Sequence, residues 1–356
     1  MSGRNIKREE AKTNKKKEEI TFWNSFFILC IIVSIFLTIV LCFYIKEFNN
    51  NIKRHNLNYN WPKLSELIPS LFILPLIMAF KTTIEILSKG LVESCLAKKY
   101  KQPKNEEMKK LGNIYRHKLP RHIYKIIFYV LITIFGYHVL HDLPYFPKSM
   151  LGNGYMPNMF LKGFPDSYFH ERTPLFNLYY NISLAYFVND FIFLFIMERQ
   201  SDFINMLLHH VCTISLIIFS FITNYSNIGS LVIFCHMESD ILLHATRFLL
   251  QTDNSIFITG FVGITFTINF VYMRQYVFGE MIYTIYKYIT WKWGIITTTL
   301  WLFLVILYIM HLRWSYILLS KTAELLVTKK RIVDDVNYDK LVKNNKKGNV
   351  TDNKIN

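Results

Sequence analysis

A chain of 356 residues, 52% hydrophobic, 16% aromatic and carrying a formal net charge of +16, would suit two soluble domains only if its apolar residues were dispersed. They are not: no charged residue occurs from Ile20 to Ile45, and about 20 apolar residues suffice for a helix to cross a bilayer. A wholly soluble enzyme is excluded. So is a nucleic-acid reader, because the positive charge lies mainly in the tails and one loop, with no helix or strand pattern that presents base-reading residues.

Residues 1–21 form a basic tail with Arg4, Lys7, Arg8, Lys12, Lys15, Lys16 and Lys17. Residues 22–45 read as the first transmembrane helix. A cleaved signal peptide would have an apolar core of about 7–15 residues ending at small residues; this run is longer and ends in Phe43, Tyr44, Ile45 and Lys46. A second hydrophobic segment, 64–97, is interrupted by Pro69, Pro75, Lys81 and Glu85 and fits either a span or a re-entrant or interfacial piece. Lys81 and Glu85, four apart, are spaced to pair on one helix face. The stretch from Lys98 to Arg121 then carries nine basic residues.

Six further apolar windows, at 123–140, 176–197, 206–223, 228–250, 256–278 and 295–319, bring the count to eight. Tyr288, Trp291 and Trp293 read as an interfacial aromatic belt. Residues 321–356 form a second basic tail, expected to be disordered. The fold class is therefore all-α, a polytopic membrane protein of about eight transmembrane helices. Basic residues favour the cytosolic face, which puts both tails and the Lys98–Arg121 stretch there; the four basic residues between Lys46 and Lys63 are a weaker opposing signal. Basic tails of this kind are drawn to anionic membrane lipids.

None of the five cysteines forms a CxxC pair, so they read as small buried hydrophobes rather than a disulfide framework or zinc site. Asn349-Val350-Thr351 is a glycosylation sequon, which a cytosolic tail would leave unmodified.

The chemistry lies between His209 and Arg247. With Met206–Asn224 read as a helix, His209, Thr213, Ser220 and Asn224 fall on one stripe, bordered by His210. After a tight turn through Tyr225, Ser226 and Asn227, the next helix aligns His236, Asp240, His244 and Arg247 on a second stripe. A short connection makes these helices antiparallel neighbours whose stripes can face one another.

An ionisable group at bilayer depth costs roughly 2.5–3.5 kcal/mol even on lenient insertion scales, so a group of them calls for a use. For a lone histidine, a polar seam gluing helices would suffice; four together favour a site. Histidine can remove a proton from an attacking amine or itself attack an acyl carbonyl. A carboxylate on the other ring nitrogen would fix its tautomer, the role expected of Asp240. A metal is the rival use of the same histidines, but His209-His210 has no second HxxHH-type cluster and His236 and His244 are eight apart, so no metal is expected. Asp190, with Ser183 and Tyr186 on its face, fits either site lining or helix pairing. Arg274 is expected to snorkel toward an interface.

The stretch HHVCTISLIIFSFITNYSNIGSLVIFCHMESDILLHATR, residues 209–247, resembles the Lag1 motif of ceramide synthases: a histidine pair, a polar-marked helix, Asn224, Gly229 and an H-D-x-x-D block. The spacing from His209 to His236 matches without a gap, as do Ser220 and Asp240. Tyr186–Asp190, Asp202-Phe203 and Arg274 resemble further family features, and the resemblance covers a TLC domain at 119–320, with six transmembrane helices. Met237 stands where the family has the first Asp of its block, and His244 where it often has Glu; Glu238, one residue on, points about 100° away on a helix.

Membership implies N-acylation of a sphingoid base, sphinganine or sphingosine, by a fatty acyl-CoA co-substrate in the endoplasmic reticulum membrane. His209, His210, His236 and Asp240 would be catalytic, and Asp190, Tyr186, Asn224, Ser220, His244 and Arg247 would line the substrate. No other cofactor is implied. The partners would be membrane lipids and the two substrates, with a homo- or hetero-dimer left open. The resemblance places acyl-length selection in a loop near Glu280 to Trp293. The alternative is a non-catalytic TLC-domain lipid-binding or translocation-associated membrane protein, for which Met237 speaks.

Overall fold

The structure, a computed structural model, describes residues 23, 25–45, 62–103, 105–160, 173–197, 202–252, 254–288 and 295–328. Among them there is helix but no strand, and eight helices are long and apolar enough to cross a membrane. The first, α1, runs Ser25–Ile45. A 3-10 turn at Leu64–Leu67 leads into α2, Pro69–Leu87, where Pro69 occupies the first helical turn and needs no amide partner. Pro75 does not end α2, so the second hydrophobic segment is a full-length helix followed by the short α3, Lys89–Cys95, and α4, Lys98–Lys101. Lys81 is buried over the Phe193 ring, 2.9 Å from its centroid, a cation–π contact where sequence spacing pointed to Glu85.

Helix α5, Glu106–Leu140, starts at Asn105, whose side chain accepts from the Met108 amide at 3.0 Å. Its 35 residues extend about 50 Å, against a hydrocarbon core of about 30 Å. The apolar window that begins at 123 is thus only the membrane half of a helix starting 17 residues earlier. Hydropathy misses that first half because lysines and arginines propagate a helix well but lie outside the hydrocarbon. It packs on α3 and α4 through Val92, Leu96, Tyr100, Leu111, Tyr115 and Leu119, a small core of its own.

Helix α6, Pro174–Ile196, is capped by Thr173, which accepts from the Phe176 amide. Helices α7, Phe203–Ile222, and α8, Ser226–Gln251, form an antiparallel hairpin. Asn224 takes φ 63° at the turn, the left-handed conformation that Asn tolerates better than most residues. Helix α9, Ile256–Val271, continues through a π-helical turn, Tyr272–Val277, into α10, Phe278–Tyr288. Glu280–Tyr288, expected to be loop, is therefore helix, while Trp291 and Trp293 lie outside the described residues. Helix α11, Ile295–Thr328, runs past Ser320, so residues 321–328 are not part of a disordered tail; the rest of that tail, residues 1–21 and the sequon lie outside the described residues.

α5, α6, α7 and α8 pack around one apolar core that also takes in α10 and α11. α1 lies against α7 through Ser34–Cys212 at 3.3 Å and Thr38–Ser215 at 3.2 Å. Where α6 meets the hairpin, the Tyr180 hydroxyl is 2.9 Å from Ser220 Oγ and lies over Gly229. A Cβ on Gly229 would collide with both oxygens. Gly229→Ala should therefore cost about 1–3 kcal/mol by overpacking. Thermal unfolding in detergent should show a lowered midpoint for it, and none for Gly90→Ala, whose Cβ meets nothing within 4 Å.

Candidate active site

His209 and His210 are successive residues of α7, hence about 100° apart; their rings meet edge-to-face at 5.6 Å, and beyond that contact each has its own neighbours. The His209 ring lies 5.7 Å from His236 of α8, nearly parallel to it, and 5.7 Å from Trp314 of α11. His236 in turn is 5.1 Å from His311 of α11. All three histidines are buried, and one ring nitrogen from each lies within 4.8 Å of the others.

Two of these rings have partners that fix their tautomer. His236 Nδ1 is 2.7 Å from the Val232 carbonyl, which can only accept, so Nδ1 carries the proton and Nε2 keeps its lone pair. His311 Nε2 is 3.1 Å from Arg274 Nη1. A guanidinium can only donate, so Nε2 accepts and the neutral ring holds its proton on Nδ1. Three of the four remaining nitrogens, His209 Nδ1, His236 Nε2 and His311 Nδ1, are buried without a hydrogen-bond partner.

Arg274 is the centre of this arrangement and is only 2% exposed. It does not snorkel. The π-helical turn carries it inward, where Nε donates to Ser239 Oγ at 2.7 Å and Nη2 to the His236 carbonyl at 3.1 Å. Nη2 also meets Asp240 Oδ1 at 2.8 Å. Asp240 therefore pairs with a guanidinium where sequence reasoning had it on an imidazole. The reason is stoichiometric: a buried cation with several N–H groups needs acceptors, and α8 supplies them one turn apart. Glu238 faces α9, with both oxygens 3.2 Å from Asn269 Nδ2, and takes no part.

His210 turns to the other flank, in the field of Asp190, whose carboxylate is 2.6 Å from Lys125 Nζ of α5. Tyr186 is fully buried, stacked 4.0 Å from Phe128, which makes it packing between α5 and α6. His244 lies two turns beyond His236; its Nδ1 is 3.0 Å from His122 Nδ1 and its ring stacks on Tyr129. Arg247 is exposed beyond it. Seven of the ten predicted residues thus fall into three groups: His209, His236 and Asp240 at the centre, His210 with Asp190, and His244 with Arg247 further along α8.

Ser220 and Asn224 lie at the hairpin end, and Ser220 lines an apolar pocket. Its walls are helix stripes: Thr213, Leu216, Ile217 and Ser220 of α7, and Ile228, Gly229, Val232, Ile233 and His236 of α8, headed by its N-cap Tyr225. Thr297, Leu300, Trp301 and Leu304 of α11 complete it. At the hairpin end Tyr225 Oη meets Thr297 Oγ1 at 2.8 Å; toward the membrane interior the cavity reaches the His236 ring.

The TLC-domain profile matches residues 118–320, more than half of the chain and the whole site. The chain belongs to the TLC-domain family. Its relatives include the sphingosine N-acyltransferase lag1 of Schizosaccharomyces pombe, 24% identical over 159 residues, which are 45% of this chain and 38% of that protein. Ceramide synthase LOH2 of Arabidopsis thaliana is 21% identical over 225 residues, 61% of this chain and 72% of the relative. Human ceramide synthase 3 is 26% identical over 214 residues, 55% and 49% of the two chains. The chain thus spans well under two thirds of the length of the first and last of these. Lag1-type TLC membership, a helical membrane fold and the resemblance read from the 209–247 motif agree.

Sequence reasoning missed His311, Lys125 and His122, and it misplaced Arg274. The signal for His311 and Arg274 was the same one that singled out the His pair, an ionisable residue inside an apolar span. Removing the cation should show its weight: Arg274→Met leaves the partly buried Asp240 without its counter-charge, at a cost of up to about 3–5 kcal/mol. Adding Asp240→Asn to Arg274→Met should restore a large part of the thermal stability lost.

Proposed function

We propose that this TLC protein N-acylates a sphingoid base with a fatty acyl-CoA in the endoplasmic reticulum membrane, with both basic termini and the basic end of α5 on the cytosolic side. One observation carries the reading: the inner end of a hydrocarbon-lined cavity is an imidazole, His236, with an unshared Nε2 lone pair and the His209 ring against it. A fatty chain in the cavity would bring its carbonyl to these rings. The amine nitrogen then attacks the thioester carbon, an imidazole of the His209–His236 pair takes the amine proton, and the C–S bond breaks as the carbonyl re-forms. The thiolate regains that proton, so amide and free CoA thiol are the products. His210, held beside Asp190 and Lys125, supports α7 from the opposite flank.

We read the three central histidines as proton-handling groups and not as a metal site. Arg274 donates into the one His311 lone pair that a metal ion would need at Nε2, and its positive charge opposes a second cation beside it.

Along α8, the eleven positions from Tyr225 to His236 rise about 16 Å. An extended chain advances about 1.2 Å per bond, so roughly 13 bonds fit between the hairpin end and the imidazole. Trp301 lines that path. Purified protein given sphinganine and a mixed acyl-CoA pool should form ceramide by mass spectrometry, and His209→Ala should lower the rate at least about 100-fold, the lower range for a lost acid–base group. Trp301→Ala should shift the product toward longer acyl chains.

A second reading, a TLC protein that binds or helps translocate lipid without catalysis, is favoured by Met237, which is fully buried in the apolar core where the family motif has a carboxylate. Sphinganine binding with no amide formed from any acyl-CoA in that assay would decide for it.

A further inference from the structure

Resting on the acyl-transfer reading, we propose that His311 is a further catalytic residue, the hydrogen-bond donor that stabilises the oxyanion of the thioester carbonyl, and that Arg274 is its positioning residue. The argument starts from lone pairs. Arg274 has none, so its contact at 3.1 Å forces His311 Nε2 to accept and leaves Nδ1–H as a donor without a partner. The Val232 carbonyl likewise forces His236 to present a bare Nε2. One ring therefore offers an N–H and its neighbour a lone pair.

A buried N–H with no acceptor costs about 1–3 kcal/mol, so a site that keeps one unpaired is built for an acceptor that arrives later. The rings are close, with centroids 5.1 Å apart, yet their free nitrogens are not bonded to each other. A reacting carbonyl placed between them would receive His311 Nδ1–H on its oxygen as negative charge develops there, while His236 Nε2 takes the proton of the attacking amine. The C–N bond forms, the C=O electrons move to oxygen, and they return as the C–S bond breaks. Nothing beyond amine and thioester is consumed.

The surroundings suit this role. Phe278 lies 5.0 Å edge-on to His311 and Trp314 packs at 6.0 Å, so the ring has aromatic walls that fix its plane. Arg274 is itself immobilised by Ser239, Asp240 and the His236 carbonyl, so the donor and the base hang from one guanidinium.

The test compares His311→Gln with His311→Phe in the full-length protein. Gln can accept from Arg274 with its oxygen and donate into the site with its amide; Phe fills the space and does neither. The expected result is a kcat loss on the order of 100-fold or more for Phe, the magnitude of a missing oxyanion donor, with KM for acyl-CoA within threefold and Gln retaining activity within about tenfold of wild type. Equal loss in both variants, or a Phe variant near wild-type kcat, overturns the proposal. So does one equivalent of bound transition metal whose removal abolishes turnover, since His311 would then be a ligand. Wild-type protein that forms no amide would instead overturn the acyl-transfer reading itself.

Discussion

Everything at the centre of this bundle depends on satisfying one buried guanidinium. Arg274 sits where water cannot reach it, and an uncompensated charge there would be among the most expensive features a helical membrane protein could carry. Its N–H groups are met by a hydroxyl, a backbone carbonyl and a carboxylate of α8 and by an imidazole of α11. Three helix segments distant in sequence are thereby held in one register. The same contacts hold the backbone at His236 and orient the His311 ring, so the solution to an electrostatic problem also helps arrange the central imidazoles.

The π-helical turn at Tyr272–Val277 belongs to that solution. Such turns are rare and recur at functional sites because the wider coil lets a side chain reach where α-geometry would not aim it. In this chain it joins α9 to α10 and delivers a long cation to the middle of the bundle. A straight apolar helix with a snorkelling arginine, the simpler reading, would have left Asp240 without the guanidinium that pairs with it.

Much of this was legible in the sequence, and the limits are physical. Length of apolar run located all eight spans, since hydrocarbon thickness leaves little freedom. The short link at Thr223–Tyr225 made α7 and α8 antiparallel neighbours, and periodicity alone brought His209 and His236 to facing stripes. Hydropathy could not see the basic first half of α5 or the polar ends of α10 and α11, because helix continues wherever nothing breaks it. Nor could it pair Asp240 with Arg274, 34 positions later, or bring in His311, because one-helix periodicity says nothing about which third helix closes a site. His210 shows a different limit: its ring meets His209 edge-to-face at 5.6 Å, but consecutive helical residues diverge by about 100°, so its remaining neighbours, Asp190 among them, could not be read from its adjacency to His209.

The cavity walls carry one more consequence. Tyr225, the N-cap that opens α8 at the hairpin end, and His236, eleven residues along the chain, stand on one continuous stretch of backbone. Their separation is fixed by covalent backbone and hydrogen bonds, not by how tightly neighbouring helices pack or how thick the surrounding bilayer is. On the acyl-transfer reading proposed above, a hydrocarbon chain held between them would be measured against a scale marked on a single rod. Changes in membrane composition that tilt or separate the other helices would leave that scale unaltered.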